Sequence, residues 1–368
     1  MKCTIPEISW HNRDPVLSID LKPGVNKTSD GNLFWRLATA GADSHVLIWH
    51  LKVNELGATV VEFAADLNRH QKAVNVVRFS PSGEILASGD DESAIILWKE
   101  RSESEPPPLA GEESNQNKEQ WNLWKVLRGH VEDVYDLSWS PDSNYLVSGS
   151  VDNTAILWDV QKGRSSGILA DHKGFVQGVS WDPCNQYVST LSTDRPIIIL
   201  PSLDQCTIAV RCCPIYFDLR EDGPVSMIAL PYRIVFAVAT QSSVLIYDTQ
   251  QISPIAIISN IHYTRLTDVT WSSDGRLLVV SSTDGYCSIV YFQERELGNV
   301  YTGTVGLKGI SESKIAKTIT SDKNKTNTVE DKNTEKSELV LDLCSDAMDI
   351  DITKVKNLPD SIEDLDID

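Results

Sequence analysis

One spacing constrains this chain more than any other feature. A histidine is followed 22 residues later by an acid and 28 residues later by a large apolar residue. His70, Glu92 and Trp98 fit it, as do His130, Asp152 and Trp158; His172, Asp194 and Leu200; and His262, Asp284 and Val290. Between these marks lie short runs that alternate apolar with polar residues, such as Val134–Trp139, Tyr145–Ser150 and Ala155–Asp159. Alternation with a period of two belongs to half-buried strands. A repeat of about 40 residues holding four such runs is the pattern of a β-propeller blade. The chain is therefore expected to be all-β and to act as a docking platform.

The unit that begins at Gly129-His130 shows the mechanics. Val134–Trp139 reads as a first strand, Ser140–Asn144 as a turn and Tyr145–Ser150 as a second strand. Val151-Asp152-Asn153 is a tight turn, Ala155–Asp159 a third strand, and a fourth follows near Ser166–Ala170. In WD-repeat blades the histidine, a strand Ser or Thr, the turn Asp and the Trp form one hydrogen-bonded chain. Here those residues are His130, Ser148, Asp152 and Trp158. A buried imidazole must satisfy both ring nitrogens, and an Asp plus a Ser can do so.

About six units are recognisable. The first runs from His11 through Asp43 and Trp49, lengthened by a polar loop at Pro23–Gly31. The second, His70–Trp98, is followed by a polar insertion at 101–120, expected to be mobile, and by a strand at Leu123–Leu127. The third and fourth follow. A weaker fifth has strands at Ile208–Arg211, Ile234–Thr240 and Val244–Asp248, and the last is His262–Val290. A strand at Ile5–Trp10 is expected to complete the last blade, closing the ring and removing an aggregation-prone edge. The fourth unit is disturbed between 195 and 207, because Pro196 stands where a central strand should run. The propeller is placed at 1–293. Residues 294–368 form a tail read as disordered, acidic from 338, where ten acids face two lysines.

Composition narrows the function classes. No run of about 18 apolar residues occurs, so no membrane-crossing helix is expected. The start, Met1–Pro6, lacks the apolar core of a signal peptide, and no lipidation motif is visible. Seven scattered cysteines without a CxxC pair read as reduced, intracellular thiols. A net charge of −19 disfavours direct DNA binding, which needs a basic face, and favours basic protein partners. No phosphate-cradling, nucleophile-elbow or HExxH motif occurs, so no enzyme activity, metal or cofactor is expected. Asp90, Asp91 and Glu92 sit in a strand-connecting turn, and Glu132 and Asp133 follow Gly129-His130 in a loop of the same face. Together these five acids are the candidate partner-binding rim.

Several strings depart from the generic repeat. Residues 69–81, 128–135, 150–155, 209–214, 230–233, 247–251 and 281–287 resemble the WD-repeat middle subunit (the B subunit, p60 type) of chromatin assembly factor 1. The resemblance covers about residues 1–293, and the histone-deposition WD proteins of the HIRA type are its nearest confusable relatives. It implies a nuclear, non-catalytic histone chaperone subunit. Such a protein joins a large and a small partner subunit, binds new histones H3 and H4 and assembles nucleosomes during replication and repair.

The family has seven blades, with a long segment between the positions matching Arg195 and Pro196 that is missing here. Its longer tail also carries a basic-plus-apolar motif for another histone chaperone, a further implied partner; Ser313–Lys317 is only a weak echo of it. The alternatives are a HIRA-like deposition factor and a WD-repeat substrate receptor or scaffold of a ubiquitin ligase.

Overall fold

A computed structural model describes residues 1–27, 33–54, 57–101, 117–170, 172–181, 185, 187–192, 206–221, 223–224, 230–251, 253–303 and 349–354. Among them every regular element is a strand, and none is a helix long and apolar enough to cross a membrane. The opening strand β1 (Lys2–Thr4) belongs to the last blade. The first blade is β2 (Val16–Leu21), β4 (Leu33–Gly41), β5 (Val46–Val53) and β6 (Thr59–Leu67), with a short β3 (Asn26–Lys27) paired to β4. The second is β7 (Val74–Phe79), β8 (Ile85–Asp90), β9 (Ile95–Glu100) and β10 (Trp121–Leu127). The third is β11 (Val134–Trp139), β12 (Tyr145–Ser150), β13 (Ala155–Asp159) and β14 (Arg164–Leu169).

Among the described residues the fourth unit supplies only β15 (Gly178–Trp181) and β16 (Tyr187–Ser192). The fifth is complete: β17 (Thr207–Asp218), β18 (Tyr232–Thr240), β19 (Ser243–Asp248) and β20 (Ala256–Ser259). The sixth is β21 (Leu266–Trp271), β22 (Leu277–Ser282) and β23 (Cys287–Tyr291), completed by β1. A last strand, β24 (Asp349–Lys354), lies against β16.

Among the described residues the propeller therefore has five complete blades, which corrects the expected six units and differs from the seven of the family pattern. The reason is chain length. Only residues 193–206 separate β16 from β17, whereas two strands of about five residues and their connections need more. Asp194 and Leu200 lie outside the described residues, as does the tail beyond 303 apart from its short β24.

A second correction concerns ring closure. The N-terminal strand does complete the last blade, but it is Lys2–Thr4, paired with Ile289–Tyr291, and not Ile5–Trp10. Pro6 cannot donate to a ladder, and its carbonyl instead accepts from Ile8 N–H at 2.9 Å in a turn. Trp10 is then free to be buried in the core edge-on to Trp49, ring centroids 4.8 Å apart.

Apolar faces of neighbouring blades make the core. One cluster joins Val16, Ile19 and Trp49 of the first blade to Leu277, Val279 and Ile289 of the sixth. Others join blades one and two, two and three, three and the fourth sheet, and five and six. Among the described residues the fifth blade's other face has a small cluster of its own, Phe236, Val238, Leu245 and Tyr247, with no member from the fourth sheet. Residues 294–300 stay with the propeller: Asp218 N–H donates to Asn299, and Phe217 bridges Val300.

Candidate functional site

The histidine marks come together as hydrogen-bonded chains inside the blades. In the third blade Trp158 Nε1–H donates to Ser148 Oγ at 2.8 Å, Ser148 lies 2.7 Å from His130 Nε2, and His130 Nδ1 lies 2.8 Å from Asp152. A second acceptor competes for the Ser148 proton, the carbonyl of Ile156, but at 3.4 Å it is the weaker one. The serine therefore donates to His130 Nε2, and His130 Nδ1–H donates to Asp152. Every polar atom in the chain is satisfied with a neutral ring. Burial depresses the His130 pKa despite the carboxylate beside it, which keeps that state. Gly129 is required by packing, because a Cβ there would come within 2.8 Å of the Trp158 ring.

The whole chain recurs in the first and second blades, and parts of it recur in the fourth sheet and the sixth blade. In the first blade His11 bonds Asp43 and Thr39, both at 2.8 Å, and Trp49 donates to Thr39 at 2.9 Å. In the second, His70 meets Ser88 at 2.7 Å and Trp98 donates to Ser88 at 2.8 Å, but the acid is Asp90 at 2.6 Å and not Glu92. Asp90 sits at the end of β8 and also accepts from Glu92 N–H and Ala94 N–H, the turn-holding role of Asp152. In the fourth sheet Thr190 lies 3.0 Å from His172 Nε2. In the sixth blade Asp284 holds His262 at 3.0 Å, and Val280 stands where Ser148 would be. Ser288, directly across the sheet from Val280, replaces it at 2.9 Å.

The fifth blade carries no such histidine. Its buried polar group is Arg233, 3% exposed, which donates to Asp248 at 2.8 Å and to the Asp218 carbonyl at 3.0 Å. Spacing could not find it, although Arg233 and Asp248 both fall within the strings that resemble the family.

A charge network on the innermost strands also escaped the sequence reading. In all five complete blades the first strand carries a register shift at the same place: Val16/Ser18, Val74/Val76, Val134/Asp136, Thr207/Ala209 and Leu266/Asp268. Such bulges re-aim the residues that follow them. Here those residues reach the next blade. Asp268 accepts from Ile19 N–H, Ser18 from Val77 N–H, Asp20 from Phe79 N–H and Asp136 from Val179 N–H.

Arg78 is the cation among them. Its guanidinium donates to Asp268 at 2.9 Å, to Ser18 at 2.9 Å and to the Ile19 carbonyl at 3.2 Å, and reaches Asp136 at 3.5 Å. Arg211 adds a second contact to Asp268 at 3.2 Å. Burial alone would raise Asp268, but the charges of Arg78 and Arg211 hold its carboxyl below the usual range. For Asp20 burial wins over Arg78, and its pKa is raised.

The expected rim divides. Asp90 is buried and belongs to the His70 chain. Asp91, Glu92 and Glu132 are exposed and Asp133 is half-buried. Burial and the charges of Asp91 and Glu132 push the Asp133 pKa up, so these carboxylates crowd one another. Among the described residues none of the four has an ion pair, and Asp91 instead accepts from Asn75 at 2.6 Å. The turns are stitched into one surface: Asn75 also donates to the Val134 carbonyl, Val151 N–H to Asp133 and Val176 N–H to Ser150. Val131, Tyr135 and Phe175 stand exposed along it, at 79%, 50% and 50%.

The insertion between β9 and β10 of the second blade is anchored at its end. Lys118 N–H and Glu119 N–H both donate to the Ala64 carbonyl. Glu119 takes bonds from Arg36 and His50, each at 2.6 Å. Against the cost of burial, those two partners hold its pKa at about 2. The expected mobility of 101–120 therefore does not extend to this end, and residues 102–116 lie outside those described.

These shifts set a pH dependence. His130 and His262 have depressed values, so the unfolded chain takes up protons first as pH drops below about 6.5. Stability is complete above that pH and is lost as pH falls toward the folded values. Asp43, Asp90, Asp152 and Glu119 are depressed too, so their contribution is lost on further acidification below about 4.5. Raised Asp20 and Asp133 oppose this and are outnumbered. Calorimetry should show a flat melting temperature above about pH 7, a decline below 6.5 and a steeper one below 4.5. A profile that rises on acidification would contradict the assigned neutral histidines.

Residues 1–197 and 194–297 match the CAF1B/HIR1 beta-propeller domain family in two pieces. The break falls where the fourth sheet runs out of chain. The B subunit of chromatin assembly factor 1 from Gallus gallus is 40% identical over 423 residues, covering 87% of this chain and 74% of that protein. The 423 aligned positions exceed the 368 residues present, so that protein carries residues with no counterpart here. The Mus musculus protein of the same name is 41% identical over 81% of this chain and 68% of its own length. Protein hir-1 of Neurospora crassa is 26% identical over 72% of this chain and 34% of its own. With its histidine-linked blades, its Arg233–Asp248 blade and identity of this extent, the chain belongs to the family of the chromatin assembly factor 1 B subunits.

Proposed function

We propose that the chain is a non-catalytic subunit of a nuclear chromatin assembly complex. It docks a large and a small partner subunit and helps hold newly made histones H3 and H4 for nucleosome assembly at replication and repair sites. Kinship to proteins named for chromatin assembly factor 1, at 40% and 41% identity, supports membership of such a complex over the HIR1-named relatives, at 24–27%.

The observation that carries the histone part is the acidic rim. Asp91, Glu92, Glu132 and Asp133 present carboxylates with no ion pair among the described residues, beside exposed Val131 and Tyr135. A basic segment with apolar side chains suits that surface, because charge steers the encounter and apolar contact holds it. The net charge of −19 works against a phosphate backbone, so DNA is reached through the partners. The mechanism is binding alone, with no cofactor.

Reversing the four rim acids (D91K, E92K, E132K and D133K together) should weaken capture of histone H3–H4 by the assembled complex at least ~10-fold at physiological salt. The melting temperature should stay within about 2 °C, since none of the four holds the fold. Unchanged capture would remove the rim from the reading. Purification from dividing cells that yields ubiquitin ligase adaptors and no histones would overturn the reading as a whole.

A further inference from the structure

The fourth sheet is the unfinished part of the fold, and a distant segment of the chain lies on it. Within its own unit β16 pairs only with β15 among the described residues. Its other side would be an open edge, a row of N–H and C=O groups ready to pair. β24 occupies that edge. It runs antiparallel to β16 over its whole length, from Tyr187 opposite Lys354 to Ser192 opposite Asp349, with no register shift.

The sequence of the segment suits a strand. Asp349-Ile350-Asp351-Ile352-Thr353-Lys354 alternates acidic with β-branched residues over its first four positions and contains neither glycine nor proline. Its alternate acids also discourage self-stacking, because copies laid side by side would align like charges. Residues 304–348 provide the link. At about 3.3 Å per residue such a link can reach across far more than one domain.

We propose that Asp349–Lys354 is a donor strand that completes the fourth sheet in cis. The β16 edge is then a strand-addition site for an extended segment alternating acidic and β-branched residues. Main-chain bonds supply the affinity in such additions, and the alternating side chains supply selectivity. In this chain the edge left open by the short fourth unit is closed by its own tail. The proposal does not depend on the chromatin reading.

Hydrogen exchange on the full chain tests it, comparing the parent with I350P/D351P. Successive residues of a strand aim their N–H groups to opposite sides, so one of these two prolines must remove an N–H aimed at β16. Amides in 187–192 should exchange at least ~10-fold faster in the variant, with those of β12 unchanged. A synthetic peptide of residues 347–356 added to the variant should restore protection. Equal rates in parent and variant would overturn the proposal. So would faster exchange throughout, because a donor strand acts on its own sheet. Protection that persists only in a species of doubled mass would overturn donation in cis, since a second copy would then supply the strand.

Discussion

Arg78→Met is expected to cost about 3–5 kcal/mol in denaturant unfolding, because it strips the cation from several buried carboxylates. Arg78 is only 14% exposed, and its partners Asp268 and Asp136 are 5% and 15% exposed. After the change Arg211 remains on Asp268, but it is 34% exposed and contributes less. Asp136 loses Arg78, and Asp20 loses the charge that opposes its burial.

The pH profile distinguishes this cause from lost packing. Carboxylates deprived of their cation have raised folded pKa values, so the stability gap between variant and parent should narrow as pH falls from 7 to about 5. The parent should lose stability over the same range. A loss under about 1 kcal/mol, or a profile parallel to the parent's, would show that the network does not hold the inner strands together.

Ser148→Ala should cost about 2–3 kcal/mol, although it removes one oxygen atom. That oxygen accepts from Trp158 and donates to His130, so its loss leaves a buried N–H and a buried ring nitrogen unpaired. Ser148→Thr should cost less than about 1 kcal/mol, since Thr39 plays the same part in the first blade and Thr190 binds His172. A Ser148→Ala and Trp158→Phe double-mutant cycle should return a coupling of at least about 0.5 kcal/mol. Strict additivity would mean that the indole bond adds nothing to the fold.

The strand plan could be read from the residues with little error. In the third blade β11, β12 and β13 lie at the expected bounds, because each is a clean period-two run between turn residues. Where the pattern was weak, in the fifth blade, the expected strands fall inside longer observed ones. Pairing across a sheet extends a strand beyond the residues whose side chains advertise it. The acid of the second blade was misread because equal spacing does not imply equal geometry. Glu92 keeps the count, but Asp90 has the shorter arm and the position at the end of β8.

By itself the sequence determined the blade unit, its polar chain of His, Ser, Asp and Trp, and the acidic turns on one face. All of these depend on neighbours within about 30 residues, where side-chain periodicity and turn chemistry act directly. Only the tertiary structure decided the number of complete blades, the Arg78 network and the strand on the fourth sheet. Those bring together Ser18 with Asp268 and Tyr187 with Lys354. Partners so far apart in the chain leave no periodic trace, because their meeting depends on how every intervening strand is stacked.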